Sequence, residues 1–186
     1  MDPATESRPA ATISVFLAGL QGGMLGVCWM LLWLGISAEW QRRSFWTAEN
    51  LMASVFYGGS AIRSDFAGPT LSGMAVYLLL YSLLGAVFAV IVRDRLPRSR
   101  VLLASILFSI GWYYISFHLI WKSVLPLVSL LHAERPTFLG HLIYGTFLGR
   151  FPVYVKAWNL PPVAQAPVEP PAEKDRQESP TGTGEG

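Results

Sequence analysis

The chain has 186 residues, of which 52% are hydrophobic and only 14% are charged. Ordinary soluble domains carry about 25% charged residues, so this composition excludes a typical soluble domain, and its hydrophobicity excludes a disordered chain. The formal net charge of +2 is too small to indicate nucleic-acid binding, and the single cysteine, Cys28, excludes an internal disulfide. An integral membrane protein is the class that remains.

Four apolar segments follow one another along the chain, at about 12–36, 71–92, 101–121 and 137–155. A helix needs about 20 apolar residues to cross a bilayer core, and the first three segments meet this length without a formal charge. The fourth apolar run stops at Arg150, so it crosses only if this arginine reaches the headgroups or the helix continues past Pro152. We therefore expect an all-α integral membrane protein with a four-helix transmembrane bundle; three spans with a re-entrant fourth segment are the alternative.

The connection between the first and second spans is long enough to hold a short helix. Thr47 can cap a helix over 48–57 that ends at Gly58. At helical spacing its apolar residues share one face and its polar residues lie elsewhere, a pattern typical of a helix in the membrane interface. The apolar face comprises Leu51, Met52, Val55 and Phe56, and the polar residues are Glu49, Asn50 and Ser54.

The remaining segments flank or connect the transmembrane domain, which is predicted over 12–158. Residues 1–11 form an N-terminal cytoplasmic segment, and the proline-rich residues 159–186 are typical of a disordered cytoplasmic tail. Between the third and fourth spans, 122–136 contains apolar residues broken by Pro126, which indicates a segment that lies along the membrane surface.

The positions of the arginines indicate the orientation. The tight connection between the second and third spans holds Arg93, Arg95, Arg98 and Arg100, and Arg150 follows the fourth apolar run on the same side. Short cytoplasmic loops are enriched in positive charge, so both termini are expected on the cytoplasmic side of a bacterial inner membrane. We call this the near side and the opposite side the far side. The five arginines are the expected contacts with lipid headgroups.

Small residues recur at helical spacing in every span. They allow two helix backbones to approach closely, so they predict a compact bundle. A second interpretation, compatible with the first, is that one glycine face, most readily that of the first span, pairs with a second copy or with a partner helix. The small residues of the first and fourth spans are Gly19, Gly22, Gly23, Gly26, Gly145 and Gly149; those of the second and third are Ser82, Gly85, Ala86, Ala89, Ser105 and Ser109.

Two histidines are candidate functional groups, because polar side chains inside membranes are rare. His118 and His141 both lie near the far end of their spans, and each aligns with small residues predicted to face the bundle. Two facing imidazoles can hold a haem b, which makes this pair a candidate cofactor site. The structural interpretation is that each ring hydrogen-bonds a carbonyl, a tyrosine or water. A pH-responsive role is the third interpretation.

The sequence shows none of the arrangements of catalytic or proton-carrying side chains that an enzyme or a proton-coupled transporter would use. No Asp or Glu lies inside a predicted span, and the loops contain no nucleophile–base pair, phosphate-binding loop or metal-ligand spacing. We therefore expect no enzymatic activity and no resident metal or cofactor.

The second half of the chain resembles a known family. An arginine-bearing loop is followed by a span that ends in 115–120, a proline-containing connection, and a last span that opens with the sequence Phe-Leu-Gly-His-Leu-Ile-Tyr-Gly over 138–145. This order is similar to that of the YagU-like bacterial inner-membrane proteins over about 71–150. The resemblance implies four spans in the inner membrane, no established enzyme activity, a suggested link to acid tolerance and a role for Gly140 and His141.

Together these observations favour a non-enzymatic structural or stress-related membrane component. We expect it to act through a partner membrane protein or a homo-oligomer, within the lipid bilayer and without nucleic acid. One alternative is a haem- or metal-binding subunit that uses His118 and His141 as ligands. The other is an oligomeric channel or a transporter of small solutes.

Overall fold

The structure is a computed structural model that describes residues 3–63, 65–93, 95–124, 128 and 131–158. Over these ranges the secondary structure is helical and contains no strand, which confirms the prediction of an all-α chain for this part of the sequence. The tail predicted over 159–186 and most of the apolar stretch around Pro126 lie outside the described residues.

The helices are named in chain order. They are α1 (Pro3–Trp40), α2 (Thr47–Tyr57), α3 (Gly59–Ile62), α4 (Gly68–Val92), α5 (Arg98–Tyr113), a π-helical segment (Tyr114–Trp121), α6 (Lys122–Val124), α7 (Glu134–Leu148) and α8 (Phe151–Trp158). The π-helical segment directly continues α5, so the two form one rod.

Three of these rods are long and apolar enough to cross a membrane: Thr12–Trp40, Gly68–Val92 and Ser99–Trp121. They coincide with the first three predicted spans and indicate a membrane protein. The fourth predicted span differs, because α7 ends at Leu148 and a turn at Gly149 and Arg150 separates it from α8. At a rise of 1.5 Å per residue, α7 alone covers only about 22 Å.

The first helix is the centre of the packing, because it contacts α4 on one side and α7 and α8 on the other. A Cβ added at Gly19 would lie 2.7 Å from the Cα of Ala86, and one at Gly23 would lie 2.5 Å from the carbonyl oxygen of Tyr81. Gly26 faces Tyr144 of α7 just as closely. These glycines are therefore used inside the molecule, where they allow backbones to touch.

The third rod packs against α7 through its small residues. A Cβ at Gly145 would meet the Cβ of Ser109 at 3.0 Å, and one at Gly149 would meet the Oγ of Ser105 at 2.6 Å. The opposite face of this rod is exposed, and it includes Gly111, which has no neighbour within 4 Å of an added Cβ.

The short helix α2 lies with its polar side inward, contrary to the interfacial arrangement predicted from its periodicity. Glu49 and Asn50 are buried together with Leu51, whereas Val55 and Phe56 are exposed. The reason is the backbone of α4: a Cβ at Gly73 would overlap the carbonyl oxygen of Glu49, so this side of α2 docks directly onto the α4 backbone. Thr47 also does not cap the helix; its hydroxyl donates to the carbonyl of Ser44 instead.

Candidate functional site

The most connected polar side chain in the interior is His141, on α7. Its Nδ1 lies 2.8 Å from the carbonyl oxygen of Thr137, which can only accept, so Nδ1 carries the proton. Its Nε2 lies 2.9 Å from the hydroxyl of Tyr81 on α4, and in the neutral ring this nitrogen accepts the hydroxyl proton. Both ring nitrogens of the buried His141 are therefore engaged within the bundle.

Hydrogen bonds around His141 connect three helices, α4, α5 and α7. The hydroxyl of Tyr144 on α7 donates to the carbonyl of Tyr81 on α4 over 2.8 Å. The hydroxyl of Ser109 on α5 donates to the carbonyl of His141. The ring centroids of Tyr77 and Tyr81 are 5.9 Å apart, which extends the cluster toward the far end of α4. We call Tyr77, Tyr81, Thr137, His141 and Tyr144 the polar core.

A small cavity adjoins the polar core on its far side. It is bordered by Tyr77, Tyr81 and His141 and reaches outward to His132 and Trp121. Its volume, about 20 Å³, is room for one water molecule. A second cavity of about the same size lies beside it and shares the walls formed by Leu34, His132 and Thr137. Neither could hold a macrocycle or an extended substrate.

His118 lies outside this cluster, so the bundle-facing position predicted for it is wrong. It is exposed on the third rod, where its Nε2 lies 3.8 Å from the Oε1 of Glu134. The reason is that this rod turns its serine face toward α7, which places Gly111, Tyr114 and His118 outward. The ring of Tyr113 lies between the two histidines, 5.8 Å from that of His118 and 5.3 Å from that of His141.

Sequence reasoning missed Glu49, the most deeply buried acid of the described residues. Its side chain is 1% exposed, and its Oε2 has no hydrogen-bond partner in the part of the chain that the structure describes. The neighbouring Asn50, in contrast, has a hydrogen-bond partner: its Oδ1 accepts a hydrogen bond of 2.7 Å from the hydroxyl of Thr70 on α4. The signal available in the sequence was Gly73, because a glycine at that point of a membrane helix permits a second backbone to approach.

Other polar residues have structural contacts. Gln21 accepts a hydrogen bond of 3.1 Å from the indole nitrogen of Trp158, which joins α8 to α1. His132 is half-buried and stacks on Trp121. Desolvation by its surroundings lowers the pKa of His132 to about 4, so it is neutral at physiological pH. Cys28 is exposed on α1.

The arginines predicted to contact lipid headgroups lie at one end of the molecule. Arg93 donates a hydrogen bond of 2.8 Å to the hydroxyl of Thr12, which joins the end of α4 to the beginning of the first candidate span. Arg95 and Arg100 are exposed beside it, and Arg150 is exposed in the turn between α7 and α8. The side chain of Arg98 is outside the described residues.

The described residues thus form an all-helical fold with a hydrogen-bonded tyrosine–histidine core and three helices long and apolar enough to cross a membrane, which suggests a membrane protein. The chain belongs to a family of unknown function, DUF6789, whose model matches residues 13–159. The match covers the predicted transmembrane domain almost completely. Comparison with curated proteins and with solved structures finds no match.

Proposed function

We propose that this chain is a four-span protein of the bacterial inner membrane with both termini in the cytoplasm. The fourth span consists of α7 and α8 together. Support comes from the contacts of both helices with α1, and from the hydrogen bond of 2.9 Å between the indole of Trp33 and the carbonyl of Pro136, which joins the far ends of α1 and α7. The Arg93–Thr12 contact joins near-side ends in the same way.

Within this topology, the function that we propose is that of a non-enzymatic scaffold, acting through association with other membrane proteins or with its own copies. The observation that carries it is the closed interior. Glycine-to-backbone contacts bring the helices together, and Tyr81, Thr137, His141 and Tyr144 of the polar core are hydrogen-bonded to one another. The two cavities at the far end of the polar core are water-sized. Within the described residues, the polar core therefore has no room for a substrate. The larger pocket, of about 550 Å³, is an open groove on the outside of the third rod and α7, lined by Tyr113, Glu134 and Phe138.

The geometry gives less support to the alternatives. A haem held by His118 and His141 would require Tyr113 to leave the space between the rings, and His141 to give up its bond to Tyr81. A channel within one chain would require an opening through the same hydrogen-bonded core. The resemblance to YagU-like proteins agrees with the proposed topology and supplies the proposal of a stress-related role.

Reconstitution in liposomes tests the closed interior. Vesicles containing the purified chain, loaded with a pH-sensitive dye and placed in an osmotic or proton gradient, should relax at the rate of protein-free vesicles. A proton or solute flux that increases with the amount of protein would contradict the scaffold proposal and favour the channel.

Association is tested separately, in membranes. Brief amine- or photo-crosslinking of tagged protein should give a discrete adduct above the 20.5 kDa monomer, with a copy of itself or with one partner. We expect such contacts on outward faces, because the glycines of α1 are already covered by α4, α7 and α8. A protein that stays monomeric throughout would contradict this part of the proposal.

A further inference from the structure

The buried carboxyl group of Glu49 lies at the junction between α2 and α4. A carboxylate in a dry site is stable only when it is paired or extensively hydrogen-bonded. Glu49 is 1% exposed, and its Oε2 has no partner in the described part of the chain. The group is therefore held under conditions that favour its neutral, protonated form.

The titratable side chain that faces Glu49 from α4 is Tyr77. Among the described residues, no charged group of α1, α3 or α4, the helices against which α2 packs, shifts the pKa of Glu49. The carboxylate of Asp65 is exposed and accepts a hydrogen bond of 2.8 Å from Ser44, so it is engaged elsewhere. Burial raises the pKa of Glu49 from 4.5 to about 7, against the smaller opposing effect of a hydrogen bond to its own backbone.

The junction combines apolar burial with few hydrogen bonds, since Leu51 and Met52 of α2 are buried there as well. Gly73 lets the α2 backbone touch α4, and the Asn50–Thr70 hydrogen bond holds one point of the contact. On its other side α2 is exposed at Val55, Phe56 and Tyr57. The apolar residues Ala48 and Met52 of α2 are also buried against the core, so release of α2 would expose them. A charge that develops at Glu49 acts against this apolar burial, at the side of α2 that touches the α4 backbone.

We propose that the proton on Glu49 latches α2 onto α4, and that loss of this proton releases α2 and uncovers the Gly73–Tyr77 face. Because Tyr77 packs on Tyr81, the face that is uncovered leads to His141 and the polar core. The short helix is thus a proton-controlled cover on the far side of the bundle. This inference goes beyond the scaffold proposal and needs only the packing of α2 on α4.

The direction in which pH shifts the balance between docked and released α2 follows from proton linkage. The docked state holds the proton more tightly than the released state, in which Glu49 has an ordinary carboxyl pKa, so rising pH favours release. The ratio of released to docked protein should increase with pH between 4.5 and about 7, by up to roughly tenfold per pH unit in the middle of this range, and should level off above it. The pKa of His132, about 4, places its titration below this window.

The test is cysteine accessibility in the full-length protein in lipid nanodiscs. In a Cys28→Ser background, Ser54→Cys places a thiol on the buried side of α2, and Val55→Cys places one on its exposed side as the matched control. The ratio of their labelling rates with a small methanethiosulfonate reagent, measured from pH 5 to 8, cancels the intrinsic pH dependence of the thiol.

We expect this ratio to rise by roughly 40-fold between pH 5 and 7, because half of the docked Glu49 has lost its proton at pH 7. The ratio should stay low at every pH when Glu49→Gln is added. A flat ratio in the protein with Glu49, or the same rise in the E49Q protein, would overturn the proposal. If the E49Q protein does not fold, the pH dependence of the labelling ratio in the protein with Glu49 decides the test by itself.

Discussion

His118 and His141 are the same residue type in opposite surroundings. His141 is buried, and its two nitrogens bind α7 to α4, whereas His118 is exposed beside Glu134. A buried hydroxyl or carbonyl that loses its partner keeps its full desolvation penalty, while an exposed group regains water. The two positions should therefore differ in stability even though they lie on neighbouring helices.

The same substitution at both sites measures this difference. His141→Phe leaves the Tyr81 hydroxyl and the Thr137 carbonyl without their partner and should lower the free energy of unfolding by about 1–3 kcal/mol. His118→Phe should change it by less than about 0.5 kcal/mol. Unfolding of the purified variants by increasing SDS in mixed micelles gives both values. Equal effects at the two positions would contradict the structural role that we assign to His141.

For single residues, the sequence indicated which polar side chains are of interest more reliably than it indicated whether they face the interior. His141 was singled out because it is polar in an apolar segment, and the structure buries it. His118 was placed inward because it aligns with Gly111, but a glycine can lie on a lipid-facing side as well as in a contact. Glu49 was missed because a helical pattern tells which residues share a face and not which face turns inward.

Glycine contacts decide how closely the helices approach. On α1, Gly23 lies against the backbone of Tyr81 and Ser82, while the nearest atom to a Cβ at Gly22 is 3.7 Å away in the side chain of Tyr154. The neighbours of Gly23 are backbone atoms, which cannot yield without moving α4. Two adjacent glycines on one helix thus have different tolerance to a methyl group.

We expect Gly23→Ala to cost about 1–3 kcal/mol of unfolding free energy through overpacking. Gly22→Ala should be neutral or slightly stabilising, because alanine favours the helix and the added methyl meets only ordinary contacts. Thermal unfolding in detergent, followed by circular dichroism, checks the pair. A larger loss for Gly22→Ala than for Gly23→Ala would contradict the described contact between α1 and α4.

A second pair of glycines tests the position of α2. Gly73→Ala puts a methyl group onto the Glu49 carbonyl oxygen, so α2 should leave α4 at any pH. Gly111→Ala meets no atom within 4 Å and serves as the control. The labelling rate of a cysteine at Ser54 should rise severalfold or more in the Gly73→Ala protein at pH 5 and stay unchanged in the Gly111→Ala protein. No rise in the first protein would show that α2 packs elsewhere.

Apolar length predicted the bounds of α4 to within three residues, whereas α1 begins at Pro3, well before the apolar run that starts at Thr12, and ends at Trp40. Apolar length could not determine where the fourth segment ends, because Gly149 and Arg150 are compatible with either a helix end or a turn between two helices. The structure has a turn, which α8 follows. The face of α2 depends on Gly73, which is distant in sequence, so its own periodicity could not determine it. Tertiary contact overrides local amphipathicity here.

For the molecule as a whole, the sequence predicted an apolar all-helical chain, and the family match over 13–159 covers the same region. Small residues at helical spacing predicted close helix contacts. They could not say whether the glycines of α1 serve the bundle or a second copy. In the structure α4, α7 and α8 occupy them, which leaves other faces for any association.

The central claim is that α7 and α8 complete a fourth crossing, so that both termini lie in the cytoplasm. The most direct measurement is the activity of paired reporters, a fluorescent protein that works only in the cytoplasm and alkaline phosphatase that works only outside it, fused after Gly186 and, as a control, after Lys122. We predict cytoplasmic fluorescence after Gly186 and phosphatase activity after Lys122. Phosphatase activity after Gly186 would contradict the four-span account and leave three spans with α7 and α8 on the far side.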